Sequence, residues 1–144
     1  NVFLTKLSPY TSASTLNKAL FIKKNSAFML DTFEHESALV VIENGELVVF
    51  CSCSHHGVSY ILNDVELQFP SYKIKAYVGG FHMYNPISKK NENEKIINEE
   101  IIALKNRDIK YYTGHCTGEL AFDLFKNEFG EKIKKINTGM KIML

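Results

Sequence analysis

Histidine, cysteine and glycine residues concentrate in three short turns of the sequence, each of which follows a run of apolar residues. The turns are residues 50–57 (FCSCSHHG), 79–82 (GGFH) and 114–118 (GHCTG). In open α/β sheets, ligands collect at the carboxyl ends of the strands, where these turns are expected to lie. Neutral imidazole is a common metal ligand, and zinc accepts three or four ligands from separate elements. The pattern therefore predicts that the three turns converge on one metal-dependent site.

His55 and His115 are the candidate metal ligands. A histidine after a strand can equally cap the next helix or lie in solvent. For His55, its polar neighbours and the two later histidine-bearing turns favour a ligand. His115 lies between two glycines, which let the backbone approach a ligand closely. A buried histidine in a strand-to-helix turn is the alternative for His115.

His82, Thr117 and Gly118 are the candidate substrate-binding residues. His82 could ligate a metal, donate to a substrate oxygen or pack against Met83, and substrate contact and a structural role weigh equally. Thr117 and Gly118 precede a predicted helix, whose free amide groups can hold a phosphate or a carboxylate. A small-molecule substrate is therefore expected beside the metal.

Two cysteines and one further histidine leave alternatives open. Cys53 and Cys116 each lie beside a candidate histidine, and either could supply a thiolate ligand. A small buried side chain is nevertheless the more frequent use of cysteine. His35 lies between Glu34 and Glu36, which favours a solvated acidic corner over a ligand.

The elements that position these turns alternate between strands and helices. Two almost wholly apolar runs, 38–42 and 46–50, flank Asn44-Gly45, and Asn-Gly is a strong hairpin signal. Such apolar strands predict a sheet covered on both faces. The remaining pattern predicts three helices: one begins at Val58, one near Glu94 after an Asn91 or Asn93 cap, and one after a Thr117 cap. It also predicts strands at 18–24, 25–31, 73–78, 109–113, 132–136 and 141–144. Residues 1–17 are poorly periodic, and residues 8–15 are predicted to be a loop.

This order predicts a layered α/β fold in a single domain over residues 1–144. Right-handed crossovers then bring the strand ends that carry His55, His82 and His115 to one edge of the sheet. The net charge of +1 argues against a nucleic-acid partner, and the apolar runs are too short for a membrane span. Three cysteines, an odd number, favour a reducing, cytoplasmic location.

Taken together and in order, the motifs resemble a known family. Residues 52–58 (SCSHHGV), 79–83 (GGFHM) and 112–118 (YTGHCTG) resemble the metallo-β-lactamase-fold hydrolases. The branch is the one similar to dihydropterin-methyl-ribofuranosylaminobenzene-phosphate synthases, and the lead-in strand at 36–42 and the closing turn at 137–139 resemble it too.

The resemblance implies the C-terminal half of an αββα sandwich with a metal site at one edge of its sheets. It implies His55 and His115 as ligands of a divalent metal, zinc or alternatively manganese or iron, and His82 as a substrate contact. The implied activity is hydrolysis of a phosphoester or a pterin-like substrate. Ser52, where the branch usually has glycine, and Met83, where it often has leucine, are mild departures.

One family motif is absent, because the five histidines cannot form His-x-His-x-Asp-His. That motif belongs to the first half of the fold, so the chain is expected to be a fragment or a degenerate relative. We accordingly expect a metal-dependent hydrolase in the intact protein, with this chain alone inactive. The alternative is a non-catalytic binding or assembly module, whose apolar sheet face would be covered in a homodimer or by an N-terminal half.

Overall fold

A computed structural model describes residues 1–143 of the chain. In chain order the elements are β1 (Val2–Lys6), β2 (Phe21–Lys24), β3 (Ala27–Leu30), β4 (Ser37–Glu43), β5 (Glu46–Cys51), α1 (Val58–Gln68), β6 (Lys73–Gly79), β7 (Tyr84–Asn85), β8 (Lys90–Asn91), α2 (Glu94–Leu104), β9 (Lys110–Thr113), α3 (Glu119–Phe129) and β10 (Ile133–Lys135). None of the helices in this range is long and apolar enough to cross a membrane.

Six strands form one mixed sheet in the order β1-β4-β5-β6-β9-β10. The β4–β5 hairpin is antiparallel, as its Asn44-Gly45 turn predicts, and both turn residues adopt positive φ angles. Strands β5, β6, β9 and β10 run parallel to one another. Since parallel strands end at the same edge, the three histidine-bearing turns after β5, β6 and β9 lie side by side, and the predicted α/β architecture is confirmed.

All three helices pack against one face of this sheet. The fully buried residues of α1 are the predicted stripe Val58, Ile61, Leu62 and Val65. They share one hydrophobic core with alternate residues of the strands and with the apolar faces of the other two helices, including Val49, Tyr77, Ile97, Tyr111 and Phe125. The α2 helix begins at the predicted cap, where the Asn93 side chain accepts a hydrogen bond from the amide of Lys95.

The opposite face of the sheet carries two apolar rows, which we call the outer face. Cross-strand partners place one row along Leu4, Leu39, Phe50, Val78 and Tyr112. The adjacent row is Val2, Val41, Val48 and Ala76. Within residues 1–143 only part of this face is packed against, by Ile136 and Ile142. The predicted cover on both faces is therefore found on the helical face alone.

One strand is not predicted by the sequence, and three local predictions are wrong. Residues 2–6 form edge strand β1, which pairs with β4 despite a sequence with no clear periodicity. Residues 141–143 form no strand, and Leu144 lies outside the described residues. Thr117 does not cap α3, because Gly118 occupies the cap position and the Thr117 hydroxyl bonds within the preceding turn. Residues 18 and 19 are likewise not extended, since a short 3₁₀ turn over Leu16–Ala19 precedes β2.

Candidate functional site

A buried carboxylate holds the first turn, residues 52–57, in place. Glu36 accepts hydrogen bonds from the amides of His55 (2.7 Å) and His56 (3.0 Å) and from Nδ1 of His56 (2.6 Å). The side chains of Glu36 and His56 are only 7% and 4% exposed. His56 therefore orients the turn from inside, whereas the neighbouring His55 ring is left available to the site.

The His55 ring is oriented by Asn17 and Phe33. The Asn17 amide nitrogen donates to the His55 carbonyl at 2.8 Å, which turns the amide oxygen toward Nδ1 of His55 at 3.1 Å. Because that oxygen accepts, Nδ1 carries the proton and Nε2 offers the lone pair. The Phe33 ring stacks on the imidazole with a centroid separation of 3.9 Å. Such an orienting contact is typical of metal-ligating histidines.

His82 lies directly against His55. The two ring centroids are 4.0 Å apart, and His82 is buried. Its Nε2 atom is buried without a hydrogen-bond partner among the described residues. Burial, and then the nearby His55, lower the pKa of His82 to about 4, so its ring is neutral at neutral pH. A buried, neutral and unpartnered imidazole nitrogen is a suitable metal or substrate contact.

The third turn brings His115 to Cys53 and Cys116. Nδ1 of His115 lies 3.5 Å from Sγ of Cys53, and the Cys116 thiol contacts the Cys53 carbonyl at 3.7 Å. One ligand atom from each of the three residues lies within 4.8 Å of the other two. His115 is exposed, Cys53 half-buried and Cys116 buried, so the group is open to solvent on the His115 side.

The pKa values of the Cys53 and Cys116 thiols are shifted in opposite directions. Hydrogen bonds from Cys116 and then from His55 lower the pKa of Cys53 to about 4, because both stabilise its thiolate. The same Cys53–Cys116 hydrogen bond, together with burial, raises the pKa of Cys116. Of the two thiols, Cys53 is therefore the one that more readily forms a thiolate, and it lies beside His55 and His115. Cys51, two residues earlier, is buried and its pKa is raised to about 11.

The turns pack so closely that glycine is required between them. A Cβ on Gly80 would lie 2.6 Å from Sγ of Cys116 and 2.9 Å from the carbonyl oxygen of Ser52. The Gly80 amide donates to that Ser52 oxygen, and the Ser54 hydroxyl donates to the Gly80 carbonyl. The glycines of the GGFH motif therefore set the distance between the first and second turns.

Thr117 and Gly118 perform packing tasks in this structure. The Thr117 hydroxyl is buried, accepts from the Phe81 amide at 3.0 Å and lies 2.5 Å from the Thr113 hydroxyl. Gly118 has φ +74°, and a Cβ there would lie 2.5 Å from Cβ of Tyr84. These contacts join the third turn to the second. A role of Thr117 and Gly118 in substrate binding stays a prediction.

The site borders two separate depressions. His55 and His82 line a cavity of about 220 Å³ that also includes Tyr10, Ser14 and Glu92. His115 instead lines an open depression with Gly79, Gly80 and residues 136–138. The structure therefore brings His55 and His82 together in one cavity, and Nδ1 of His115 lies 3.5 Å from the Cys53 sulfur beside it.

Sequence reasoning missed the supporting residues Asn17, Glu36 and Glu92. Glu92 is buried and accepts from the Ser14 hydroxyl at 2.6 Å and from the Thr15 amide at 2.8 Å. It thereby fixes the loop that delivers Asn17 to His55. No pattern in the sequence signals these contacts, which join residues far apart in the chain. His35, by contrast, is exposed as expected, with a side chain 64% accessible.

The donor set fits a divalent metal. His55 offers Nε2, His82 a buried unpartnered Nε2, and Cys53, His115 and Cys116 a compact group of nitrogen and sulfur atoms. Imidazole and thiolate are the ligands preferred by zinc and related ions.

Comparisons with known proteins find similar proteins, one of which is a metal-dependent hydrolase. The chain is 33% identical over 122 residues to 7,8-dihydropterin-6-methyl-4-(beta-D-ribofuranosyl)-aminobenzene-5'-phosphate synthase from Methanocaldococcus jannaschii, a match that covers 83% of this chain and 39% of that protein. A crystal structure of a metal-dependent hydrolase of the beta-lactamase superfamily superposes with a TM-score of 0.77 at 33% identity, covering 100% of this chain and 54% of that one. The chain thus spans about half or less of each relative. No protein-family model matches it.

Proposed function

We propose that this chain, which belongs to the metallo-β-lactamase superfamily in the branch of the dihydropterin-methyl-ribofuranosylaminobenzene-phosphate synthases, forms part of the centre of a metal-dependent hydrolase. The observation that carries the proposal is the meeting of His55 and His82, whose ring centroids are 4.0 Å apart at the carboxyl edge of the sheet. His82 brings a buried nitrogen with no partner in the described part of the chain.

In this proposal His55 and His115 hold the divalent ion. Asn17 fixes the proton on Nδ1 of His55, so that Nε2 faces the site as an acceptor. When bound, the ion supplies Lewis-acid activation of water and of a substrate oxygen. Zinc is the proposed ion because imidazole suits it, with iron, which imidazole also suits, and manganese as alternatives.

His82 contacts the substrate from the wall of the cavity that it shares with His55. A neutral ring can donate from one nitrogen and accept at the other, so His82 can orient a polar group of a small molecule. The proposed substrate class is a phosphoester or a pterin-like compound. Its support is the name of the relative from Methanocaldococcus jannaschii, a dihydropterin-methyl-ribofuranosyl-aminobenzene-phosphate synthase, together with a cavity of about 220 Å³ for one polar end of such a molecule.

Metal binding tests the proposal most directly. Protein expressed from its full reading frame should contain zinc, manganese or iron, and should hydrolyse p-nitrophenyl phosphate esters only while the metal is present. In the 144-residue chain, His55→Ala should weaken zinc binding at least about tenfold in calorimetric titration, since even residues that only support a metal ligand contribute this much.

His35→Ala is the matched control, because His35 is an exposed histidine. It should leave zinc binding unchanged. Metal-free protein from the full reading frame, or His55→Ala and His35→Ala variants with equal zinc affinity, would contradict the proposal.

A second candidate function, an assembly module, is favoured by the outer face. Its apolar row crosses five strands, and Leu4 and Leu39 on it are 74% and 38% exposed. We propose that the occupant is a second β-sheet layer of the same superfamily fold, carried on residues beyond these 144. The support is that this chain matches only 54% of the solved relative.

A further inference from the structure

We propose that Cys53, Cys116 and His115 form a metal site with two thiolate ligands, which selects zinc over manganese and magnesium. The inference rests on the proposed metal-dependent function and deepens it by naming a ligand set. The sequence leaves a thiolate ligand from Cys53 or Cys116 as an open alternative, and the names of the relatives assign no cysteine to a metal.

The geometry of the group is close to that of a bound metal. In a tetrahedral site, ligand atoms about 2.3 Å from zinc lie roughly 4 Å from one another. One nitrogen or sulfur atom from each of Cys53, Cys116 and His115 lies within 4.8 Å of the others, and the His115–Cys53 pair is already at 3.5 Å. Small side-chain rotations therefore suffice to close the three atoms around one ion.

The backbone around the group is built for close approach. Gly80 leaves room for Sγ of Cys116, because a Cβ at residue 80 would lie 2.6 Å from that sulfur. His115 adopts φ +52°, a conformation that costs energy for a residue other than glycine. In this backbone conformation the His115 ring lies beside Cys53, where its nitrogen can join a set of metal ligands.

The exposure of the three residues also suits a metal site. His115 faces solvent in the depression lined by Gly79 and Gly80, so an ion has an entry path. The three residues leave the fourth position of a tetrahedral site for His55, the second ligand of the proposed function. His55 borders Cys53 and connects this group to the histidine cavity.

Two thiolates change which metal is preferred. Sulfur ligands select zinc, cobalt and other soft or borderline ions, whereas manganese and magnesium prefer oxygen. The thiolate pair thus predicts a zinc preference that a histidine-only site would not have.

Cobalt spectroscopy tests the thiolate ligands without relying on activity. The reduced 144-residue chain, titrated anaerobically with Co²⁺, should develop a near-ultraviolet thiolate-to-cobalt charge-transfer band that reaches saturation at one equivalent. Cys53→Ser should reduce the band by about half or more and weaken cobalt binding at least about tenfold. Cys51→Ala is the matched control, since Cys51 is buried among the core residues, and it should leave the band unchanged.

A second measurement needs no substitution. Zinc should slow alkylation of Cys53 at least about tenfold in the unsubstituted chain, followed by peptide mass spectrometry. Absence of the charge-transfer band, or equal alkylation rates with and without zinc, would overturn the thiolate site. The proposed function would survive that result if His55→Ala still weakened zinc binding, so the two failures are distinguishable.

Discussion

At the scale of single residues, the site concentrates backbone strain. Ser54, His82 and His115 all have positive φ angles, of 61°, 51° and 52°, and each lies in a different turn of the three. A non-glycine residue in this region costs on the order of 1 kcal/mol or more and persists only where its surroundings impose it. Here the surroundings are hydrogen bonds between the turns and one buried carboxylate. The strained backbone therefore occurs in the three turns that carry the candidate metal ligands and the candidate substrate contact.

Glu36 is the residue that most directly imposes the first turn. Glu36→Ala should lower the free energy of unfolding by about 2–4 kcal/mol, because three buried donors on His55 and His56 would lose their acceptor. Urea denaturation followed by circular dichroism measures this change. Glu34→Ala is the control, since Glu34 is exposed. Equal stabilities of the two variants would contradict the role given to Glu36.

At the scale of elements, the sequence pattern predicts the turns and helices that depend on interactions between neighbouring residues. The Asn44-Gly45 hairpin and the α1 stripe from Val58 to Val65 are confirmed, because turn chemistry and helical periodicity lie in neighbouring residues. The sequence pattern misses strand β1, because an edge strand takes its stability from pairing with β4, 31 to 39 residues away. Local pattern carries no information about that pairing.

The site divides in the same way. His55, His82 and His115 could be predicted to share one edge, because each follows a strand of a parallel sheet. The residues that hold these histidines in place could not be predicted. Asn17 reaches His55 from a loop that has no periodicity of its own. The sequence pattern places Glu36 in a solvated corner, whereas its side chain is buried. Thr117 has the residue type of a helix cap, but its hydroxyl is used to join two turns.

The loop before β2 gives an element-scale prediction about acid stability. Burial alone would raise the pKa of Glu92, but hydrogen bonds from Ser14, Thr15 and the Asn93 amide outweigh it and hold the pKa below its ordinary value of 4.5. A depressed folded pKa stabilises the fold above pH 4.5, and that stabilisation is lost as the pH falls through the lower folded value.

Glu92→Gln should therefore be less stable than the unsubstituted chain at pH 7, with a difference that shrinks as the pH approaches 3. Urea midpoints measured across this range give the test. Glu43→Gln is the control, because Glu43 is exposed at the β4–β5 turn, and its difference from the unsubstituted chain should stay small at every pH. A difference for Glu92→Gln that grew on acidification would reverse the assigned direction of the pKa shift.

At the scale of the whole molecule, the two faces of the sheet are unequal. One face is closed by three helices over a continuous core, whereas the other presents apolar rows with little packed on them in residues 1–143. A sheet with apolar side chains on both faces is stable when both are covered. The edge that carries the histidines borders both faces, so whatever covers the outer face would also approach the site.

The exposed apolar rows of the outer face should make the 144-residue chain self-associate. Concentration-dependent self-association in light scattering, together with strong fluorescence of a dye that binds apolar surface, is the expected behaviour. The double substitution Leu4→Ser and Leu39→Ser removes two exposed cross-strand partners from the β1 end of that face and should reduce both signals severalfold. Ile87→Ser is the control, because Ile87 is a 92% exposed apolar residue outside the sheet, and it should change neither signal. A monodisperse monomer without dye binding would contradict an open apolar face. A discrete stable dimer would identify a second copy of the chain, rather than another sheet layer, as the partner that covers the outer face.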